Sequence, residues 1–357
     1  MKLGIVGLPN VGKTTLFNAL TGSKAETGSY TNAGAKPNIG TAKVPDERLD
    51  WLAEYYHPKK YSPATIEFVD VPGVAAGGKG NEVFQAIRQV DALVEVVRCF
   101  DDDGIFLEKA DAVRDAESFD LELILADIEI VERRLERARK NAKGGDKKYK
   151  RECEMCEALI AHLEQEKPAR DFPFTEEDQD ILTDGGLMSV KPVIYAANLD
   201  EAGMSNYSED PNYRALMEFA KAKGAAVLPV AAKFEEDIAE LDPEEAQMFM
   251  EDMGLTETGL DRLIRTSYDL LGYISFLTAG EDDVHAWTIV KGTKAPKAAG
   301  KIHTDIERGF IRAEIVAFED LKACGTMAAV KEKGLFRLEG KEYVMQDGDV
   351  TMFRFNV

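Results

Sequence analysis

Eight residues near the start of the chain, Gly7-Leu8-Pro9-Asn10-Val11-Gly12-Lys13-Thr14, fit the spacing G-x-x-x-x-G-K-[S/T]. The chemistry this pattern serves is the grip on a polyphosphate. Glycines let the backbone curl so that successive N–H groups face phosphate oxygens. The run Pro9, Asn10, Val11, Gly12, Lys13, Thr14 and Thr15 is the expected cradle. Lys13 is expected at the β- and γ-phosphates, the Thr14 hydroxyl on Mg²⁺, and the N-terminus of the following helix adds its dipole. A second element, Asp70-Val71-Pro72-Gly73, follows the strand-like TIEFV. Asp70 is expected to hold the Mg²⁺ shell through water, and the Gly73 N–H to meet the γ-phosphate. Lys13 and Gly73 are therefore the expected catalytic contacts. No general base is visible: the residue after Gly73 is Val74, which cannot polarise a water. Asn10 lies where some phosphate-binding loops hold K⁺, which makes K⁺ a candidate cofactor beside Mg²⁺.

A third constellation concerns the base. Asn198-Leu199-Asp200-Glu201 follows the apolar run PVIYAA, where GTPases carry Asn-Lys-x-Asp. In those proteins the Asp carboxylate accepts two hydrogen bonds from guanine. Leu199 stands in place of the Lys and Glu201 in place of the Asp. A preference built on polar pairing is lost with its partner, so the pattern points to ATP or to relaxed specificity. Ala231 and Ala232, after the next apolar run, are expected to present backbone N–H groups to the base edge.

The elements that must position these groups alternate between strands and helices. Runs 2–7, 65–70, 91–98, 191–198 and 225–232 read as strands, each separated by helical sequence, which gives a parallel α/β sheet. Ligands of such sheets lie beyond the carboxyl ends of the strands, where Gly7, Asp70, Asn198 and Ala231 fall. Residues 119–140 carry Leu121, Ile124, Leu125, Ile128, Val131 and Leu135 at helical spacing, and a Gly-Gly turn separates them from a second helix over 149–167. This reads as an antiparallel helical hairpin. From about Phe276 the pattern changes to period two with glycine turns, a mostly β module. The chain of 357 residues carries a net charge of −21, which argues against electrostatic coating of DNA. The charge is uneven: residues 131–151 hold ten basic and three acidic side chains, and residues 171–261 hold five and twenty-two. No apolar run reaches the roughly 20 residues of a spanning helix, no signal peptide is read, and four cysteines make no disulfide framework. A cytoplasmic protein is expected. Cys153-x-x-Cys156 is read as a helix surface position rather than a metal site. Trp287 and Phe310 are read as core of the β module rather than a base-stacking platform, and His303 as a structural histidine.

With these residues in view the chain resembles the Obg-like ATPases of the YchF subfamily of the Obg-related P-loop proteins. The resemblance rests on GLPNVGKTTLFNALT (7–21), VPDERLD (44–50), LELILADIE (121–129), KPVIYAANLDE (191–201), AAKFEEDIAEL (231–241) and most of the sequence from Phe276 onward. It implies an α/β P-loop NTPase G-domain over 1–117 and 172–275, split by an antiparallel α-helical coiled-coil hairpin over 118–171, and a C-terminal TGS (β-grasp, ubiquitin-like) domain over 276–357. It also implies slow ATP hydrolysis with GTP a weaker substrate, and a ribosome or ribosomal RNA partner reached through the basic hairpin and the TGS-like domain. No membrane and no sequence-specific DNA contact is implied. Two departures fall in the switches. Gly34 stands where the family carries a threonine that closes on Mg²⁺, with Thr31 or Thr41 as substitutes, and the stretch from Asp70 to Asn81 is short. Two alternatives stay open: a GTPase or dual-specificity NTPase, and a nucleotide-sensing module with little hydrolysis.

Overall fold

A computed structural model describes residues 2–26, 37–73, 81–102, 104–144, 146–178, 186–252 and 255–356. Two compact units emerge, one of residues 1–41 and 67–263, the other of residues 42–66 and 264–357.

The first unit is built on β1 (Lys2–Val6), α1 (Lys13–Thr21), β2 (Asn38–Lys43), β4 (Thr65–Asp70), α3 (Asn81–Arg88), β5 (Ala92–Arg98), β6 (Val193–Asn198) and β7 (Ala226–Val230). Its sheet runs β2-β4-β1-β5-β6-β7. The pairings β1–β4, β1–β5, β5–β6 and β6–β7 are all parallel. Every residue of β5 and β6 is buried, as a strand covered on both faces requires. Because the strands are parallel, Gly7, Asp70, Asn198 and Ala231 leave the sheet at the same edge, as the sequence predicts.

Two long helices follow β5: α4 (Ala112–Ala142) and α5 (Lys147–Leu163). Asp111 caps α4 by accepting from the Arg114 N–H (3.0 Å), and Asp146 caps α5 by accepting from Lys148 (2.9 Å). The sequence places the start of the first helix too late, and that error misassigns its apolar face. Over its first turns α4 buries Ala116, Phe119 and Leu123 in the sheet core. Farther along it buries Ile124, Val131 and Leu135 against Cys156, Leu159 and Leu163 of α5. Leu121 and Leu125, expected in the stripe, point to solvent. Cys156 is fully buried in that seam with Cys153 packed against it, which corrects the expected surface position.

Buried polar groups tie the helices down. Asp127, wholly buried, accepts from the backbone N–H groups of Met188 and Ser189 (both 2.8 Å) and from Ser189 Oγ (2.7 Å). Burial pushes its carboxyl up, and these donors oppose the push. Asp120 pairs with Arg170 and with Lys223 (2.9 Å), the latter the residue that follows the helix Pro211–Ala222. A buried carboxylate is tolerated only with such partners.

The second unit contains α2 (Glu47–Tyr56), β3 (Lys60–Ser62), β8 (Tyr273–Ala279), β9 (Asp283–Val290), β10 (Phe310–Ala317), β11 (Arg337–Glu339) and β12 (Asp349–Phe355), in the sheet order β11-β10-β12-β8-β9-β3. One face packs Phe276, Ile289, Ile315 and Phe353 on Ala295, Ala298 and Ala299. The unit reaches beyond the expected boundary at 276. Two interactions recruit residues 42–66: β3 pairs in parallel with β9, and Arg48 Nη1 bonds Asp347 Oδ2 at 2.7 Å. Phe310 is buried, and Trp287 packs against the core with its indole N–H on Thr278 Oγ1 (2.9 Å). His303 caps the helix Thr304–Arg308 through Nδ1 (3.1 Å from the Asp305 N–H). No described helix is long and apolar enough to cross a membrane.

Candidate nucleotide site

The loop between β1 and α1 curls as a phosphate cradle does. Gly12 sits at φ +98°, and a Cβ there would collide with the Asn198 side-chain amide. Asn10 adopts φ +64° and is exposed at the loop's crown. The nine-residue helix α1 begins at Lys13 with no side-chain cap and no acidic residue in its first turn. Its free N–H groups and positive dipole end are thus left open to an anion.

Lys13 is buried, and its ammonium donates to the Leu8 carbonyl at 2.6 Å. Burial pulls its pKa down to about 8, while the nearby Asp70 carboxylate acts in the other direction. A lysine held in this way would regain full charge if phosphate oxygens replaced the lost water. Gly73 closes against the same loop: a Cβ would lie 3.0 Å from Pro9 Cα and 3.1 Å from Lys13 Nζ. The start of the second switch is therefore seated on the phosphate grip, and only a glycine fits there without displacement.

Thr14 Oγ1 donates to Asp70 Oδ2 at 3.0 Å, and Asn38 Nδ2 reaches the same oxygen at 3.3 Å. The other oxygen, Asp70 Oδ1, is buried with no hydrogen-bond partner. Burial raises the Asp70 carboxyl above its usual range, and Thr14, Asn38 and Lys13 pull it back. A buried carboxylate oxygen left bare beside a threonine hydroxyl is a donor set that fits a hydrated Mg²⁺. Thr14 would hold it directly and Asp70 through water. Bound there, it would neutralise charge on the phosphates.

The base-side groups also converge. Asn198 is buried at the end of β6. Its Nδ2 donates to the Val11 carbonyl (2.9 Å) and its Oδ1 accepts from the Ala232 N–H (3.0 Å). One side chain thus fastens the phosphate loop to the loop of Ala231 and Ala232; each such buried bond is worth about 1 kcal/mol. The Leu199 N–H bonds the Val230 carbonyl (2.8 Å), and its side chain packs into the sheet core with Met204 and Tyr213. Asp200 caps the helix Glu201–Met204 by accepting from the Gly203 N–H (2.7 Å). Glu201, the first residue of that helix, is exposed.

Three asparagines and acids around the site carry no motif signal. Asn38 contacts Asp70, as above. Asn18 of α1 bonds Ala25 at both backbone groups (3.0 and 2.9 Å). Glu235, one turn after Ala232, accepts from the Gly259 N–H at 2.6 Å. Such residues are found only by geometry, since a single Asn or Glu has no spacing to recognise. Thr41 is exposed on β2, and Thr31, Gly34, Val74 and Gly77–Gly80 lie outside the described residues.

A parallel sheet with a phosphate loop after β1, an Asp-x-x-Gly after β4 and a bridging Asn after β6 defines a P-loop NTPase of the GTPase type. Residues 2–129 match a family described as 50S ribosome-binding GTPase, and residues 273–356 one described as YchF-GTPase_C, a protein of unknown function. The chain is 51% identical to the ribosome-binding ATPase YchF of Bacillus subtilis (strain 168), which it matches over 99% of both chains. It is 39% identical to the Obg-like ATPase 1 of Oryza sativa subsp. japonica, over 100% of this chain and 92% of that one. The solved structure of the Schizosaccharomyces pombe YchF GTPase superposes with a TM-score of 0.87 at 35% identity, covering 99% of this chain and 97% of that one. The chain belongs to the YchF family of P-loop nucleotide hydrolases.

Proposed function

We propose that this protein is a Mg²⁺-dependent ATPase of slow turnover that works as a ribosome- or RNA-associated switch, with GTP a weaker substrate. The observation that carries the ATP reading is the end of β6. Asn198 makes both of its structural bonds, Asp200 is taken up as a helix cap, and Glu201 stands free where a guanine-reading Asp would be. Adenine has no N1–H and no 2-amino group, so it does not need that carboxylate. Phosphoryl transfer to water would draw on Lys13, loop N–H groups and the Gly73 N–H as charge stabilisers. Slow turnover follows from Val74, the residue after Gly73, whose apolar side chain cannot polarise the attacking water. K⁺ held beside Asn10 would add a further positive charge between the phosphates. The basic hairpin of α4 and α5 would be the coiled-coil insertion (118–171) and the C-terminal module (276–357) the TGS-type domain. Both are proposed as ribosomal contacts, the former because its exposed cations suit an RNA backbone. A cytoplasmic location follows from that partner.

A second reading, a GTPase or dual-specificity enzyme, is favoured by one fact: the names of relatives divide, ATPase for the Bacillus subtilis protein and GTPase for the Schizosaccharomyces pombe structure. Titration of nucleotide-free protein with ATP and GTP in Mg²⁺ separates the two. Tighter ATP binding is expected, with Glu201→Asp shifting preference towards GTP. Equal or tighter GTP binding by the wild type would overturn the ATP reading. Phosphate release over hours, against Lys13→Ala, separates an enzyme from a sensor.

A further inference from the structure

The two ends of the segment that joins α1 to β2 are held by asparagines in different ways. At the near end Asn18, buried in α1, grips Ala25 with a reciprocal pair of hydrogen bonds, to its carbonyl (3.0 Å) and from its N–H (2.9 Å). This pin is backbone-directed and involves no group of the metal site. At the far end the side chain of Asn38, the first residue of β2, donates to the Asp70 carboxylate at 3.3 Å, its one side-chain bond among the described residues. The Asp70 oxygen it touches is the one that accepts from Thr14, which leaves Oδ1 as the bare, buried oxygen.

We propose that Asn38 is a positioning residue for Mg²⁺. It locks the Asp70 carboxylate so that Oδ1 faces the metal's water. A carboxylate torsion is broad and roughly two-fold, so a single donor at Thr14 leaves either oxygen free to take the bond. Two donors converging on Oδ2 from different elements, α1 and β2, remove that degeneracy. Partners that orient a metal-binding carboxylate govern metal affinity without touching the metal. The role needs no oxygen ligand from Gly34, and it makes Asn38 itself no ligand.

The inference rests on the Mg²⁺-dependent reading, and the experiment separates the two. ATP binding by the full chain is titrated against free Mg²⁺ by fluorescence of a labelled ATP analogue, with a matched titration in EDTA. For Asn38→Ala the Mg²⁺ half-saturation is expected to rise about tenfold or more, with affinity in EDTA within about twofold of wild type. Asn38→Asp keeps the shape but sets a carboxylate against Asp70, and should raise half-saturation at least as far. Asn38→His, which keeps an N–H donor, should recover part of the loss. Asn18→Ala is expected to lower the thermal midpoint while leaving Mg²⁺ half-saturation unchanged. A wild type whose ATP binding ignores Mg²⁺ would remove the parent reading. A Mg²⁺-dependent wild type with an unchanged Asn38→Ala would overturn this inference alone, as would equal shifts in Asn38→Ala and Asn18→Ala.

Discussion

Lys13 shows how one buried side chain makes binding depend on pH. Its ammonium has exchanged water for the Leu8 carbonyl and the field of Asp70, and burial outweighs both, so its pKa falls to about 8. Phosphate oxygens would stabilise the charged form and raise that value again. Binding therefore takes up a proton wherever the free protein has lost it. The sign follows: below about pH 7 this group contributes little slope, and above pH 8 the affinity for ATP drops by up to about tenfold per pH unit. Isothermal calorimetry at pH 8.5 in two buffers of different ionisation enthalpy should show proton uptake, absent in Lys13→Arg. A pH-independent affinity from 7 to 9 would place the Lys13 pKa elsewhere. The motif residues were legible because phosphate chemistry fixes both type and spacing; what spacing cannot tell is that Gly73 must be small for lack of room against Pro9 and Lys13.

The helix Ala232–Ala239 ties the loop of Ala231 and Ala232 to the rest of the chain. Its first N–H is held by Asn198, and its Glu235 reaches the start of the helix Gly259–Leu270 through the Gly259 N–H. Burial raises the Glu235 carboxyl to about 7, with the backbone donors of Gly259 and Leu260 opposing. A carboxyl whose folded pKa lies above its unfolded value favours the fold in its protonated form. Stability is thus lost as pH rises from about 4.5 to about 7, by up to about 3 kcal/mol. Glu235→Gln keeps an acceptor for Gly259 and removes the titration. Its thermal midpoint should match the wild type near pH 5 and exceed it at pH 8; identical profiles would show that Glu235 titrates normally. Elements with a strong period were also legible, down to the edge at which the strands deliver their residues. The errors lie where tertiary context decides. The face of α4 turns from the sheet to α5 along its length, so a single helical stripe could not reveal that Leu121 and Leu125 are exposed. Likewise the pairing of β3 with β9 joins residues more than 200 apart, and no local pattern announces it.

At the scale of the whole molecule the net charge of −21 repels any polyanion, so a partner rich in phosphate must be met by a local basic element. The end of the α4–α5 hairpin supplies it, but its ten cations are not equivalent. Arg134 pairs with Glu152 and Arg139 with Glu157 (both 2.7 Å), and Arg151 is held by Glu177 (2.8 Å) and Asp178. Arg137, Lys140, Lys143, Lys147 and Lys150 are exposed and make no ion pair among the described residues. Those five are the freest to displace counterions from an RNA backbone; Arg133, also exposed, rests its Nε on the Glu129 carbonyl (3.0 Å). Reversing the five together to Glu touches no buried contact, so the thermal midpoint should stay within a few degrees of wild type. Co-sedimentation with ribosomes should nevertheless collapse at physiological salt. For smaller sets of the five, the slope of log affinity against log salt should flatten by about one unit per cation removed. Reversing Arg134, Arg139 and Arg151 instead should mainly destabilise the hairpin, because each is already neutralised by a carboxylate. If the five-fold variant keeps both its affinity and its salt slope, the hairpin is a structural arm and the phosphate contacts lie on another surface.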